Sequence, residues 1–102
     1  MKSIEEVRQM PENQRVIVSV VRFNGKTEEV GFRTPRRLEV EQAVTSAEKV
    51  GHLAALDTVL KQCCLTHTPQ QLNDISDEKD ITAVFAELMA LRNQGVELEK
   101  KA

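Results

Sequence analysis

A chain of 102 residues, 40% apolar and 29% charged, has room for one modest hydrophobic core and is too short for two. A net charge of −2 with no block of Lys or Arg argues against a dedicated nucleic-acid binder, and with no Trp, no Tyr and three Phe there is no aromatic platform for stacking bases or sugars. No apolar run approaches the roughly 20 residues of a membrane helix, and "MKSIEEVRQM" lacks the apolar stretch of a signal peptide, so the expectation is a cytoplasmic protein.

Ser3 followed by Glu6 has capping-box spacing, which predicts a short opening helix before Pro11. The β-branched run from Val16 to Val21 then leads to Asn24-Gly25 and a second run with Val30 and Phe32. Asn-Gly suits the two positive-φ positions of a type I′ turn, so a β-hairpin is predicted over about 15–33. Its first strand is apolar on both faces, with Val16, Val18 and Val20 on one and Ile17 and Val21 on the other. A two-stranded hairpin is marginal in water, so helices or a neighbouring subunit must cover it.

Thr34-Pro35 has the pattern of a cap followed by proline at the first helical position, and 36–64 reads as helix. Ala43, Ala47, Gly51 and Ala55 fall four apart, which places small residues in one ridge where another backbone can approach. That pattern favours one long helix running through Gly51. A break at Gly51-His52 is the alternative. Thr68-Pro69 with Gln71 starts a short helix over 69–75 that carries Leu72 and Ile75. Ser76 is the expected cap of a last helix over 77–94, with Asp77, Glu78 and Asp80 in its first turn and Ile81, Val84, Phe85 and Leu88 at helical spacing. Gly95 ends it, and 96–102 is a polar tail. The expected fold is a single α+β domain over 1–95, mostly helical, with an N-terminal hairpin.

Residues that carry chemistry are sparse. Cys63 and Cys64 are adjacent and cannot close a useful disulfide loop; both are expected as buried helix residues. With His67 and the distant His52 they make too thin a set for zinc, and a Cys–His pair with no third group does not specify a nucleophile. Glu28-Glu29 and "DISDEKD" lack the alternating oxygen ligands of a calcium loop, and helix capping accounts for the second. Arg33, Arg36 and Arg37 flank the hairpin exit as a possible anion site or a solvated face. Gly25, Gly31, Gly51 and Gly95 are isolated, so no phosphate-binding loop is present. No cofactor, metal or catalytic residue is predicted, and a binding protein is better supported than an enzyme. The candidate partner surfaces are Val16, Val18 and Val20 on the first strand and the ridge of Ala43, Ala47, Gly51 and Ala55. That ridge serves either internal helix packing or self-association.

The stretch "FRTPRRLEVEQAVTSAEKVGHLAALDTVLKQCC" followed by "HTPQQLNDISDEKDITAVFAELMAL" is similar to small tail assembly chaperones of long-tailed bacteriophages and prophages. The resemblance spans roughly residues 32–92. It rests on the order of a "TP" helix start, an alanine-rich helix, the proline-led "QQLNDI" and a final amphipathic helix, and it carries over no site residue. It implies a non-enzymatic protein of the bacterial host cytoplasm that binds the tape measure protein and helps tail-tube protein polymerise around it. It also implies a longer frameshifted form, for which the tail with Lys100-Lys101 is a candidate join; a plain solubilising tail is the alternative. The rival functions are a small structural or adaptor protein of a tail or connector, and a regulatory DNA-binding module.

Overall fold

A computed structural model of the chain describes residues 1–21 and 25–93. Asn24 of the expected turn, Gly95 as helix stop, and the 96–102 tail lie outside the described residues. In order, the elements are α1 (Ile4–Arg8), a 3₁₀ turn (Glu12–Gln14), β1 (Arg15–Val21), β2 (Thr27–Arg33), α2 (Arg37–Val50), α3 (His52–Cys63), α4 (Pro69–Ile75) and α5 (Glu78–Arg92). The fold is α+β and mostly helical, with the hairpin near the N-terminus.

β1 and β2 pair antiparallel with Val16 opposite Phe32, Val18 opposite Val30 and Val20 opposite Glu28. Opposed residues share a face, so Val16, Val18, Val20, Val30 and Phe32 form one apolar surface. A two-residue turn at Asn24-Gly25 would set Val21 opposite Glu28, but Val21 faces Thr27, which requires an odd number of connecting residues. The register is thus one step from that of a two-residue turn, and the turn's own geometry at Asn24 lies outside the described residues. Slipping by one would put Gly31 opposite Val18 and turn Val30 and Phe32 to the other face, so burial of two large side chains outweighs the turn preference of one dipeptide. Gly25 still supplies a positive φ, +78°.

The apolar face of the hairpin packs under α3, α4 and α5. Val20, Val30 and Phe32 meet Val59, Leu60, Cys63, Leu72, Ile75, Val84 and Leu88 in one continuous core. The opposite face is covered by α1, whose Val7 is fully buried against Gly31. Burying such a valine contributes about 1.5–3 kcal/mol. The outer edge of β2 is occupied as well. The Leu65 amide donates to the Gly31 carbonyl at 2.8 Å, and Lys2 in turn donates to the Leu65 carbonyl at 2.9 Å, so Cys64–Thr66 runs beside β2, joined by one antiparallel bridge between Cys64 and Phe32.

The helix starts follow their caps, with two shifts. Ser3 and Glu6 form the capping box of α1, and Thr68, Pro69 and Gln71 start α4 as the spacing predicts. The cap of α5 is Asp77 rather than Ser76. The Asp77 carboxylate accepts from the amides of Lys79 at 2.9 Å and Asp80 at 3.1 Å, while the Ser76 hydroxyl donates back to Leu72 at the end of α4. α2 starts at Arg37, so Thr34-Pro35 is not its cap. Glu39 reaches back instead to accept from the Arg36 amide at 2.8 Å.

The single long helix over 36–64 is also corrected. Gly51 sits at φ +96° and ψ 154°, ends α2 and reverses the chain into α3. Only glycine tolerates that region, so the backbone requirement overrides the small-residue periodicity that ran through it. Nothing lies within 4 Å of a Cβ placed there.

Two predictions follow from these glycines. Gly51→Ala and Gly51→Leu should cost about the same, roughly 1–3 kcal/mol, because the strain is in the backbone and the space is open. Thermal unfolding by circular dichroism checks this, at roughly 4–8 °C per kcal/mol for a domain of this size. A Leu variant far worse than Ala would mean that Gly51 is packed. At Gly31 an added Cβ would lie 2.8 Å and 2.9 Å from the two Val7 methyls. Gly31→Ala should therefore destabilise by about 1–3 kcal/mol, and adding Val7→Ala should recover part of that loss in a double-mutant cycle.

Candidate functional site

Small side chains set the geometry of the α2–α3 pair. Ala43 and Ala55 are both buried where the two helices meet, Ala47 is half-buried, and Gly51 is the exposed turn. The ridge read along one helix is thus folded back on itself, and its outer members face each other across a helical hairpin. Close approach of α2 to α3 uses up Ala43 and Ala55. On β1, Val20 is 4% exposed within the core, and Val16 and Val18 are half-buried against it. Those valines belong to the protein's own packing more than to a partner surface.

What the small residues leave open is a groove beside them. Val40, Ala43, Val44 and Ala47 of α2, His52, Ala55 and Leu56 of α3, and Phe85 of α5 line a cavity of about 230 Å³. α2 makes its main contact with α3, so its far side faces solvent. Leu38, Val44 and Val50 are 63%, 67% and 61% exposed. Of these three only Val44 lines the groove; a spacing of six residues turns Leu38 and Val50 to other sides of α2, where single exposed apolar residues are ordinary. The sequence reading names Ala43, Ala47 and Ala55 of this lining and misses Val40, Val44 and Leu56. The signal was available in Val40, Val44 and Ala47, spaced as one helical stripe, but the alanine ridge drew on the same turns.

The base of the α2–α3 hairpin is fastened by an ion pair. Arg33 at the end of β2 meets Glu39 through two bonds of 2.7 Å, and its guanidinium also donates to the Gln62 carbonyl at 3.2 Å. These two bonds, opposed by partial burial and aided by the Arg36 amide, hold the Glu39 carboxyl well below the usual range, at about 2. Of the three arginines at the hairpin exit, Arg33 is thus paired with Glu39, and Arg37 is paired with Glu41 at 2.8 Å. Burial pushes the Cys63 thiol up to about 11, which suits a packing residue and not a nucleophile. Cys64 lies just past the helix end and is half-buried.

Thr66, His67 and Glu28 line up in a way that invites a catalytic reading. His67 Nδ1 is 2.7 Å from the Thr66 hydroxyl and Nε2 is 3.0 Å from Glu28. The Thr66 oxygen, however, accepts the Gly31 amide at 3.1 Å, and its hydrogen is the one available to His67. Through Gly31 and Glu28 these bonds tie the α3–α4 connection to β2. Among the described residues, no cluster of three or more His, Cys, Asp and Glu side chains is placed to hold a metal ion. No described helix is long and apolar enough to cross a membrane. Compared with protein-family models, curated proteins and solved structures, the chain matches none.

The Arg33–Glu39 pair predicts an acid limb of stability. A carboxylate with a lowered folded pKa contributes fully above its unfolded value near 4.5 and loses that contribution as pH falls towards 2. Glu39→Gln should cost about 1–2 kcal/mol at pH 7, allowing for solvent screening of a partly open pair. It should also flatten the pH dependence below 4.5. Urea midpoints between pH 2 and 7 test both; an unchanged acid limb in the variant would remove Glu39 from this role.

Proposed function

We propose that the protein is a non-enzymatic tail assembly chaperone of a bacteriophage or prophage. In this reading it works in the bacterial host cytoplasm, binds the tape measure protein and promotes polymerisation of tail-tube protein around it. The observation that carries the proposal is the apolar groove beside solvent-facing Val44 on α2. An amphipathic helix can lay its apolar face into such a groove through anchors spaced at i, i+3, i+4 and i+7. A cavity of about 230 Å³ takes one or two side chains of a helix at a time. A long helical partner would accordingly be covered by many copies, each binding weakly and the array binding well.

The charge arrangement supports a protein partner over DNA. Arg8 pairs with Glu5 and Glu29, Arg33 with Glu39, Arg37 with Glu41 and Lys61 with Asp57, so these cations are neutralised within the chain. Of the features on which the resemblance to tail assembly chaperones rests, the proline-led short helix and the final helix are kept as α4 and α5, while the "TP" helix start and the single alanine-rich helix are not.

Val44→Asp tests the reading, because Val44 is exposed and its loss should leave the fold intact. Co-expressed with a tape measure protein from the same genome, the unaltered chain should keep that protein soluble and co-purify with it. The variant should lose at least tenfold of the association, about 1.4 kcal/mol, with an unchanged circular dichroism spectrum. Equal co-purification of the variant would remove the groove. Finding the chain in purified particles would favour a structural component of the tail or connector over a chaperone.

A further inference from the structure

We propose that β1 is a homodimerisation edge: two copies pair antiparallel along Arg15–Val21 about a twofold axis at Val18, forming one four-stranded sheet in the order β2-β1-β1-β2. This inference goes beyond the chaperone reading and does not depend on it.

The hydrogen-bond parity of the hairpin fixes which backbone groups face outward. Gly31 turns its amide to Thr66 and its carbonyl to Leu65, both away from β1. Opposed residues of an antiparallel pair either exchange both bonds or both point outward. Ile17, opposite Gly31, therefore points its amide and carbonyl away from β2. By alternation so do Arg15, Ser19 and Val21. The Thr34 amide bonded to the Gln14 carbonyl at 3.2 Å extends the same parity. Among the described residues, no backbone bond outside the hairpin engages Ile17 or Ser19. The two edges of the hairpin thus differ: that of β2 is covered by Cys64–Thr66, and that of β1 presents a regular row of donors and acceptors.

The edge also lacks the usual guards. Exposed edges carry Lys, Glu, Pro or a bulge that stops another strand from docking. "RVIVSVV" has one charge, Arg15, and pairs with β2 at every position without a bulge.

A second copy fits this edge through its own symmetry. With Val18 opposite Val18 on the twofold, Ile17 meets Ser19 and Arg15 meets Val21, so every outward residue meets an outward residue and both bonds form. The two Arg15 residues fall at opposite ends, which keeps like charges apart. On the core face Val16 meets Val20, and the half-buried Val16 and Val18 join their counterparts in one apolar stripe. A twofold contact closes on itself and does not propagate into a fibre.

The test uses the full chain. Sedimentation and amide exchange are followed across a hundredfold range of protein concentration. The expected result is a concentration-dependent dimer in which the amides of Ile17 and Ser19 slow at least tenfold as the dimer forms, while that of Val18 is protected throughout. Ser19→Pro removes an outward amide that no described residue bonds, a position where edge strands tolerate proline. It should weaken dimerisation at least tenfold with an unchanged circular dichroism spectrum. If that variant fails to fold, Ser19→Lys, at an exposed side chain, replaces it. A chain that stays monomeric, or a dimer indifferent to these substitutions, overturns the proposal. So does protection of Ile17 and Ser19 that is independent of concentration and lost on removing residues 94–102, which would assign the edge to the chain's own C-terminal segment.

Discussion

At Gly31 three segments distant in the chain converge on one residue of β2. Val7 of α1 lies on its face at a distance that leaves no room for a Cβ, Leu65 and Thr66 bond its carbonyl and amide, and Ile17 sits opposite in β1. A two-stranded hairpin has little stability alone, so the fold depends on covering it. α1 can approach the strand only because Gly31 has no side chain, and the Cys64–Thr66 segment can align only because the hairpin register turns that residue's polar groups outward. The N-terminus is held by the same arrangement, through Lys2 bonded to Leu65.

From this base the structure becomes more open with distance. The Arg33–Glu39 pair joins the end of β2 to the first turn of α2, and the third contact of Arg33, on Gln62, draws in the end of α3. Beyond it, α2 is supported mainly by α3 across small side chains. That support leaves a helix fastened at its base, with Val44 facing solvent beside the groove. The candidate groove adjoins the core: Val84 and Leu88 of α5 lie within the core, while Phe85, packed against it, and Ala43, part of it, line the groove.

Much of the fold was legible wherever a feature is local. The capping boxes at Ser3-Glu6 and Thr68-Gln71 and the apolar spacing of α5 all appear in the structure, because each depends on residues within a turn or two of one another. The misreadings occurred where two local signals compete. Ser76 and Asp77 both suit a cap, and the choice went to Asp77 because Ser76 is bonded to Leu72 of the preceding helix. Asn24-Gly25 suits a two-residue turn, yet the faces of Val30 and Phe32 chose another register. Gly51 fits a small-residue ridge as well as a chain reversal, and spacing alone does not rank the two. The candidate site was the least legible part, since Val40 and Val44 read as ordinary helix residues until the position of α3 shows which side of α2 is left uncovered.

The sequence by itself determined the element types and their order, the pairing of two β-rich runs into a hairpin, and the absence of any motif that specifies a reaction. These follow from periodicity, capping and turn chemistry, all of short range. Only the tertiary structure decided that Gly51 reverses the chain, that Val20 and Ala43 are interior, and that Leu38, Val44 and the outer edge of β1 face outward. Those outcomes depend on which segments reach a given surface first, and contacts such as Val7 on Gly31 or Arg33 on Gln62 span separations that no local pattern encodes.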